Sequence, residues 1–478
     1  MNFKLVFRIT GLTLLLGAAV MVFPLLVSLL YGEDPLPFLK TILILFVIGL
    51  LLRALKAKPN FFAREGFCTV ALIWVLLGLF GALPFWFSGL FPSYVDCLFE
   101  AISGFTTTGS SILTAVEGLP YGLLFWRSFT HWLGGMGVLI LTTALLPKLG
   151  INSTYLIQAE SPGPITSKLV PKASQSSKIL YSIYFVLTVI QVIALRLTGM
   201  PWFDSVVNSM ATAGTGGFSI RNISIGAYEN PAAEVIITIF MLLFSVNFTL
   251  YFLVLCKKWK QALKSDELRF FCCVVAGAIL LITVNIASYY DSILTSLRHA
   301  AFQVASIIST TGFATVDFNL WPEFSRMLLV VLMLIGACAG STGGGIKCAR
   351  MLVLFKSLFR EIKQIIHPRS VNVVKLDGAV VEESTLQTIH VFFFAYICTL
   401  FGASLIVGLD NFSFGTTLTA VLTCLSNVGP GLELVGPMGN FSAFSAVSKL
   451  VLSLCMIVGR LEIFPILILF SSSAWKRS

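Results

Sequence analysis

Ten apolar stretches recur along the chain, near residues 8–31, 38–57, 67–91, 122–147, 179–200, 232–256, 268–290, 325–356, 387–408 and 444–471. Each approaches or exceeds the roughly 20 residues that carry a helix across the hydrocarbon core of a bilayer. The elements they predict are therefore membrane helices. Between them lie four amphipathic segments, 94–105, 203–212, 293–308 and 414–425, each too short to cross unaided. Each short segment runs into small, mostly polar residues that end in glycine: Thr106-Thr107-Thr108-Gly109, Ala213-Gly214-Thr215-Gly216, Ser309-Thr310-Thr311-Gly312 and Ser426-Asn427-Val428-Gly429. Apolar stretch, short segment, glycine phrase and apolar stretch thus follow one another four times, at a spacing of roughly a hundred residues, as expected of one unit used repeatedly. Irregular backbone at membrane depth is tolerated only where protein or a water-filled path surrounds it, so the four phrases are expected to converge on an axis behind re-entrant helices.

Composition agrees with this pattern. Of 478 residues, 57% are hydrophobic and 11% charged, and the mean hydropathy is +0.92, far above what a water-soluble domain exposes. The net charge of +10 would suggest nucleic acid in a soluble protein, but here the basic residues collect in alternate loops. Arg53, Lys56, Lys58 and Arg64 form one group, Lys148, Lys168, Lys172 and Lys178 a second, Lys257, Lys258, Lys260 and Lys264 a third. Lys356, Arg360, Lys363, Arg369 and Lys375 form a fourth, and Lys476 and Arg477 end the chain. The positive-inside rule places all of these, and both termini, in the cytoplasm. Glu33, Asp34, Glu117, Glu229, Asp317, Glu323 and Glu433 lie in the opposite loops, so the glycine phrases open outward. The basic start at Lys4 and Arg8 resembles a signal peptide, but the apolar part is too long and lacks a clean cleavage site, so a retained span is expected. The chain divides into two extra N-terminal spans (1–65) and four units at 66–150, 151–265, 266–365 and 366–478. The linkers 148–178 and 357–386 are too short for a catalytic domain.

A cation stripped of water needs several oxygen ligands, which four converging backbone strands can supply as stacked carbonyls. Glycine permits the backbone angles this requires, and the short helices would aim their negative ends at the path. The phrases contain no carboxylate, which disfavours selection by an acidic ring. The eighth stretch is interrupted by Gly336-Ala337-Cys338-Ala339-Gly340-Ser341-Thr342-Gly343-Gly344-Gly345. A phosphate loop is excluded because Ile346 separates Gly345 from Lys347 and Cys348 stands where Ser or Thr is required. Unwound backbone lining a cavity is the expected reading. Arg460 lies inside the last apolar stretch, where a charge is costly. It faces the ion path or pairs with Glu462 or nearby carbonyls. Lys449, nearer the outer end, is expected to snorkel; Lys347 and Arg350 are anchors or couplers; Arg127, His131 and Trp132 are support for the first short helix. The ten cysteines contain no Cys-x-x-Cys pair and the four histidines no ligand spacing.

Beyond the glycine phrases, the chain carries Trp126-Arg127, His131-Trp132-Leu133-Gly134-Gly135-Met136-Gly137, Thr215-Gly216-Gly217-Phe218-Ser219, Asn427-Val428-Gly429-Pro430-Gly431 and Gly459-Arg460-Leu461-Glu462. In these motifs it resembles the Trk/Ktr/HKT superfamily of potassium transporters, in its ten-span TrkH branch rather than the eight-span KtrB branch. The resemblance implies an all-α polytopic membrane fold: four pseudo-symmetric span, pore helix, filter, span units around one central pore, with two N-terminal spans added. Potassium, the transported ion, would be held by Thr107, Thr108 and Gly109; Gly214, Thr215 and Gly216; Thr310, Thr311 and Gly312; and Asn427, Val428 and Gly429. No other cofactor is implied. Gly340, Ser341, Thr342, Gly343, Gly344 and Gly345 would form an intramembrane gate with Arg460. The resemblance further implies a homodimer in the bacterial cytoplasmic membrane, governed by a cytosolic TrkA-like nucleotide-binding subunit. A sodium-permeable or weakly selective member remains the alternative; sodium-favouring plant relatives carry serine at the first filter glycine, and Gly109 points to potassium. A lipid-linked glycosyltransferase would need interfacial acidic residues and a large outer loop, and neither is evident.

Overall fold

The computed structural model describes residues 2–56, 63–137 and 173–470. The second part of the expected span 122–147, most of the linker 148–178 and the basic tail lie outside these residues. Within them the regular structure is helical apart from a two-residue antiparallel pair, Lys375–Leu376 with Ala379–Val380, and irregular segments connect the helices.

Phe3–Val20 and Val22–Leu30 form a first span, bent at Met21 just ahead of Pro24, and Leu36–Arg53 returns beside it. The two pack closely because Gly11 and Gly49 face one another: a Cβ on Gly11 would lie 2.8 Å from the Gly49 carbonyl oxygen, the close approach that small residues give membrane helices. At the turn of this hairpin, Glu33 accepts the backbone N–H groups of Tyr121 (2.6 Å) and Gly122 (2.9 Å). The hairpin thereby caps a helix of the first unit, placing negative charge at its positive end.

Four units follow. Their first helices are Ala63–Gly81, Ala173–Leu197, Asp266–Asn285 and Glu383–Val407. Their pore helices are Tyr94–Phe105, Trp202–Ala213, Ile293–Ile308 and Phe414–Ser426. At 1.5 Å per residue the shortest of these spans about 18 Å, part of a bilayer. Ser93, Ser292 and Ser413 start three of them as N-caps, accepting from Asp96, Leu294 and Thr416 N–H groups, and Pro201 starts the remaining one. The second helices are Tyr121–Gly135, Pro231–Ser245, Glu323–Ile335 and Ala446–Arg460. Each second helix packs against the pore helix of the next unit, and that of the fourth packs against the pore helix of the first, which closes the circle.

Six helices among the described residues are long and apolar enough to cross a membrane: the two N-terminal spans and the first helix of each unit. None of the other four stretches is a continuous helix here: the eighth breaks at its glycine run as expected, and the other three depart from the continuous spans expected of them. The helix of the first unit stops at Gly135, Pro231–Ser245 turns by 92° into Phe248–Leu255, Glu323–Ile335 ends at the glycine run, and Ala446–Arg460 stops before Phe464–Phe470. Hydropathy registers side chains and is blind to a break whose freed backbone groups find partners on a neighbouring unit.

Candidate functional site

The backbone repeats itself after each pore helix. Thr107, Thr215, Thr310 and Asn427 all adopt the left-handed conformation, with φ of 56°, 53°, 59° and 56°. The next residue donates its N–H back into the helix in every case, Thr108 to Ser103, Gly216 to Ala211, Thr311 to Ser306 and Val428 to Thr423, each at 2.9 Å. Then comes a glycine of positive φ: Gly109 (82°), Gly217 (74°), Gly312 (82°) and Gly429 (105°). These four line one polar cavity of about 120 Å³ together with Ser110, Arg127 and Arg221.

The glycines also close a ring. A Cβ on Gly109 would fall on the carbonyl oxygen of Gly216, one on Gly217 on that of Thr311, and one on Gly312 on that of Val428. A Cβ on Gly429 would come within 2.7 Å of the Thr108 oxygen. Each unit thus leans its glycine against the preceding-residue carbonyl of the next unit, and no side chain fits between. This sets the register of the second unit one residue later than expected from sequence: Thr215, Gly216 and Gly217 match Thr107, Thr108 and Gly109, while Gly214 caps the pore helix as Thr106 does. The run Gly214-Thr215-Gly216-Gly217 offers two placements by residue type, and only the ring decides between them.

Buried polar groups brace the ring from behind. Glu100, fully buried, accepts Arg127 Nε at 2.8 Å and the Ile112 N–H at 3.1 Å. Arg127 Nη1 reaches across to the Ser219 carbonyl of the second unit at 3.0 Å. His131, fully buried, makes a 2.8 Å hydrogen bond from Nδ1 to the Gly104 carbonyl and accepts the Phe218 N–H on Nε2 at 3.2 Å. Arg127 and His131 are thereby seen supporting the first and second ring segments. Ion pairs also join neighbouring units, among them Lys449 to Asp96 at 2.6 Å and Arg298 to Glu234 at 3.0 Å. Lys449 was expected to snorkel to the surface; it is buried instead, because a carboxylate 353 positions away in sequence lies beside it.

On the opposite side of the ring from the cavity lies the glycine run. Its Gly344 N–H donates to Thr310 Oγ1 at 2.7 Å and its Gly345 N–H to the Ser426 carbonyl at 2.9 Å. Thr342 Oγ1 donates to the Phe244 carbonyl at 3.1 Å and the Cys338 N–H to the Ser245 carbonyl at 3.1 Å, which satisfies the helix end exposed by the 92° turn. Lys347 Nζ folds back on the Gly343 carbonyl. Arg460 completes the arrangement. Its Nη1 donates to the Thr342 carbonyl at 2.8 Å and to Thr107 Oγ1 at 3.3 Å, and its Nη2 to the carbonyls of Gly134 (2.5 Å) and Gly135 (2.9 Å). Of the two sequence readings, contact with carbonyls is therefore observed, but the carbonyls belong to the loop and the first unit. Glu462 pairs with Arg350 instead.

The sequence pattern of the TrkH family, described as cation transport protein, matches residues 37–477. The chain is 38% identical to the Trk system potassium uptake protein TrkH of Salmonella typhimurium, over the whole of both chains. It is 35% identical to the protein of the same name from Halomonas elongata, again over the whole of both. The chain belongs to the TrkH family of cation transport proteins. The crystal structure of the potassium transporter TrkH from Vibrio parahaemolyticus superposes on it with a TM-score of 0.89 at 34% identity, covering all of both chains.

One contact of the loop in this TrkH-family chain has no counterpart among the sequence expectations. Glu267, in the first turn of the third unit's first helix and 8% exposed, accepts the N–H groups of Ala339 (2.6 Å) and Ala349 (3.0 Å) with one oxygen. It ties the loop to the helix that leaves it. In sequence, Ser265-Asp266-Glu267 reads as an ordinary capped helix start with acidic residues in the first turn, and no signal distinguishes Glu267 from Asp266 beside it.

Proposed function

We propose that the chain carries potassium inward across the bacterial cytoplasmic membrane, through the ring as selectivity filter, driven by the membrane potential. The observation that carries the reading is the closure of four glycines on four carbonyls, which packs the backbone of all four units around one axis with no side chain between them. Such a ring replaces the water of a dehydrated cation by carbonyl oxygens. The names of the full-length relatives support potassium as the cargo. The pore helices end at the ring, so their negative ends favour a cation there.

The loop Gly340–Gly345 and Arg460 act as the gate, and the arrangement described above is its closed state: the loop fills the space under the third and fourth segments, and a guanidinium stands under the first. A positive charge about 4 Å from a cation costs on the order of 4 kcal/mol at an effective dielectric of about 20, enough to hold back an ion that must lose water as well. Both termini face the cytoplasm, following the basic loops, and a homodimer governed by a cytosolic TrkA-like nucleotide-binding subunit completes the system. The relatives' shared description as parts of a Trk system supports a multi-component assembly.

Potassium and sodium fluxes into liposomes holding the purified protein, with the potential set by a known ion gradient, test the reading. Potassium flux well above sodium flux is expected, and Gly109→Ser should narrow the difference because the added side chain collides with the Gly216 carbonyl. Equal fluxes through the native protein would reject the filter assignment.

A further inference from the structure

The four left-handed residues before the ring present side chains at equivalent places: Thr107, Thr215, Thr310 and Asn427. All are fully buried. Their oxygens are treated unequally. Thr107 Oγ1 accepts from Arg460 Nη1, and Thr310 Oγ1 accepts from the Gly344 N–H. Asn427 donates its amide to Thr108 Oγ1 (3.0 Å) and to the Met456 carbonyl (2.9 Å), while its Oδ1 has no hydrogen-bond partner among the described residues. Thr215 Oγ1 donates to the Gly214 carbonyl at 2.6 Å, so its lone pairs face away from that bond.

Buried oxygen acceptors left unpartnered, or taken by donors from a movable segment, are the groups a dehydrated cation requires. A guanidinium and an amide N–H need the same lone pairs, and both bring positive charge to where the cation would sit. The loop also leaves no space: a Cβ on Gly343 would lie 2.7 Å from the Ser309 carbonyl, and one on Gly344 would fall on that of Ser426.

We infer that this inner hydroxyl and amide layer is one site with two exclusive occupants, a dehydrated potassium ion or the closed gate, so that ion occupancy there drives the gate off the ring. The inference rests on the filter and gate reading and adds a regulation to it. By linkage the coupling is reciprocal: potassium at the inner layer favours the undocked loop, and docking lowers the affinity of that layer for potassium while leaving the ring above it unaffected. Thr215 Oγ1, which bonds only as a donor to the Gly214 carbonyl, and Asn427 Oδ1 are the two oxygens of the layer that neither Arg460 nor the loop engages, and hence the first foothold for an arriving ion.

Backbone hydrogen exchange of the full-length protein in nanodiscs, read over residues 336–346 in potassium, sodium or N-methyl-D-glucamine, tests the exclusion, alongside liposome fluxes of both ions. Severalfold faster exchange of the loop in potassium alone is expected, together with slower exchange at the C-terminal turns of the pore helices as the filter fills. Thr310→Val should give fast loop exchange in every salt, and Thr310→Ser should restore the potassium dependence, which separates loss of the acceptor from damage to the fold. Loop exchange that is equal in all three salts while flux stays potassium-selective would overturn the exclusion and leave the filter reading intact. Loss of flux selectivity in the native protein would overturn both.

Discussion

Lys449 sits in a helix whose neighbours are apolar, and 2.6 Å from it stands Asp96, on the pore helix of another unit. Removing one member of such a buried pair strands the other, at a cost of about 3–5 kcal/mol, whereas replacing both by apolar residues of similar volume is often neutral. Lys449→Met is thus expected to lower the unfolding midpoint in a fixed detergent, and Asp96→Leu combined with Lys449→Met to recover most of the loss. A double variant as damaged as the sum of its singles would show the pair to be uncoupled. Legibility at this scale followed distance along the chain. Residues whose role depends on immediate neighbours, such as Gly109 after three threonines, were readable. Lys449, Arg350 and Glu267 were not, because their partners lie on segments far away in sequence. Gly217 shows a third case, in which residue types permitted two registers and a cross-ring contact chose.

Among elements, the pore helices were legible because their length, caps and glycine ends are all local. The breaks in the second helices were legible only in the third unit, where five glycines between 336 and 345 interrupt the pattern. In the second and fourth units, Ser245-Val246-Asn247 and Arg460-Leu461-Glu462-Ile463 look like continuous helix. What holds them open is the supply of donors from elsewhere, the loop in one case and Arg350 in the other. The fourth pore helix carries a testable cap of its own. Glu433 accepts from the Ser413 hydroxyl and from the N–H (3.0 Å) and hydroxyl (2.9 Å) of Thr416. These bonds, that of Ser413 foremost, hold its carboxyl below the ordinary 4.5 against the opposing effect of partial burial. A lowered carboxylate pKa stabilises the fold above the unfolded-state value and loses that contribution as the pH falls through the folded one. Hydrogen exchange at residues 413–416 should therefore be flat from neutral pH down to about 4.5, after correction for the intrinsic rate, and rise below it. A rise that begins near pH 6 would point to another group.

For the whole molecule, the bonds under the ring tie different units together, and Arg460 makes contacts with three of the four: the Gly134 and Gly135 carbonyls and Thr107 of the first, the loop of the third, and its own helix in the fourth. Deleting Gly343–Gly345, or replacing Arg460 by alanine, should raise potassium flux in liposomes lacking any partner, with the preference over sodium kept, since neither change touches the ring glycines. Unaltered flux in both variants would remove the gate assignment.

The ring is built from one chain, and its four quarters are encoded separately. In an assembly of four identical subunits, a loop on one subunit is a loop on all, and four copies would meet on a single axis with room for one. Here, among the described residues, the glycine loop comes from the third quarter and the arginine from the fourth, so the gate proposed above needs one copy of each rather than four. A change at one codon likewise alters one quarter of the ring, so that on the filter reading proposed above selectivity can be adjusted in steps finer than any homotetramer can take.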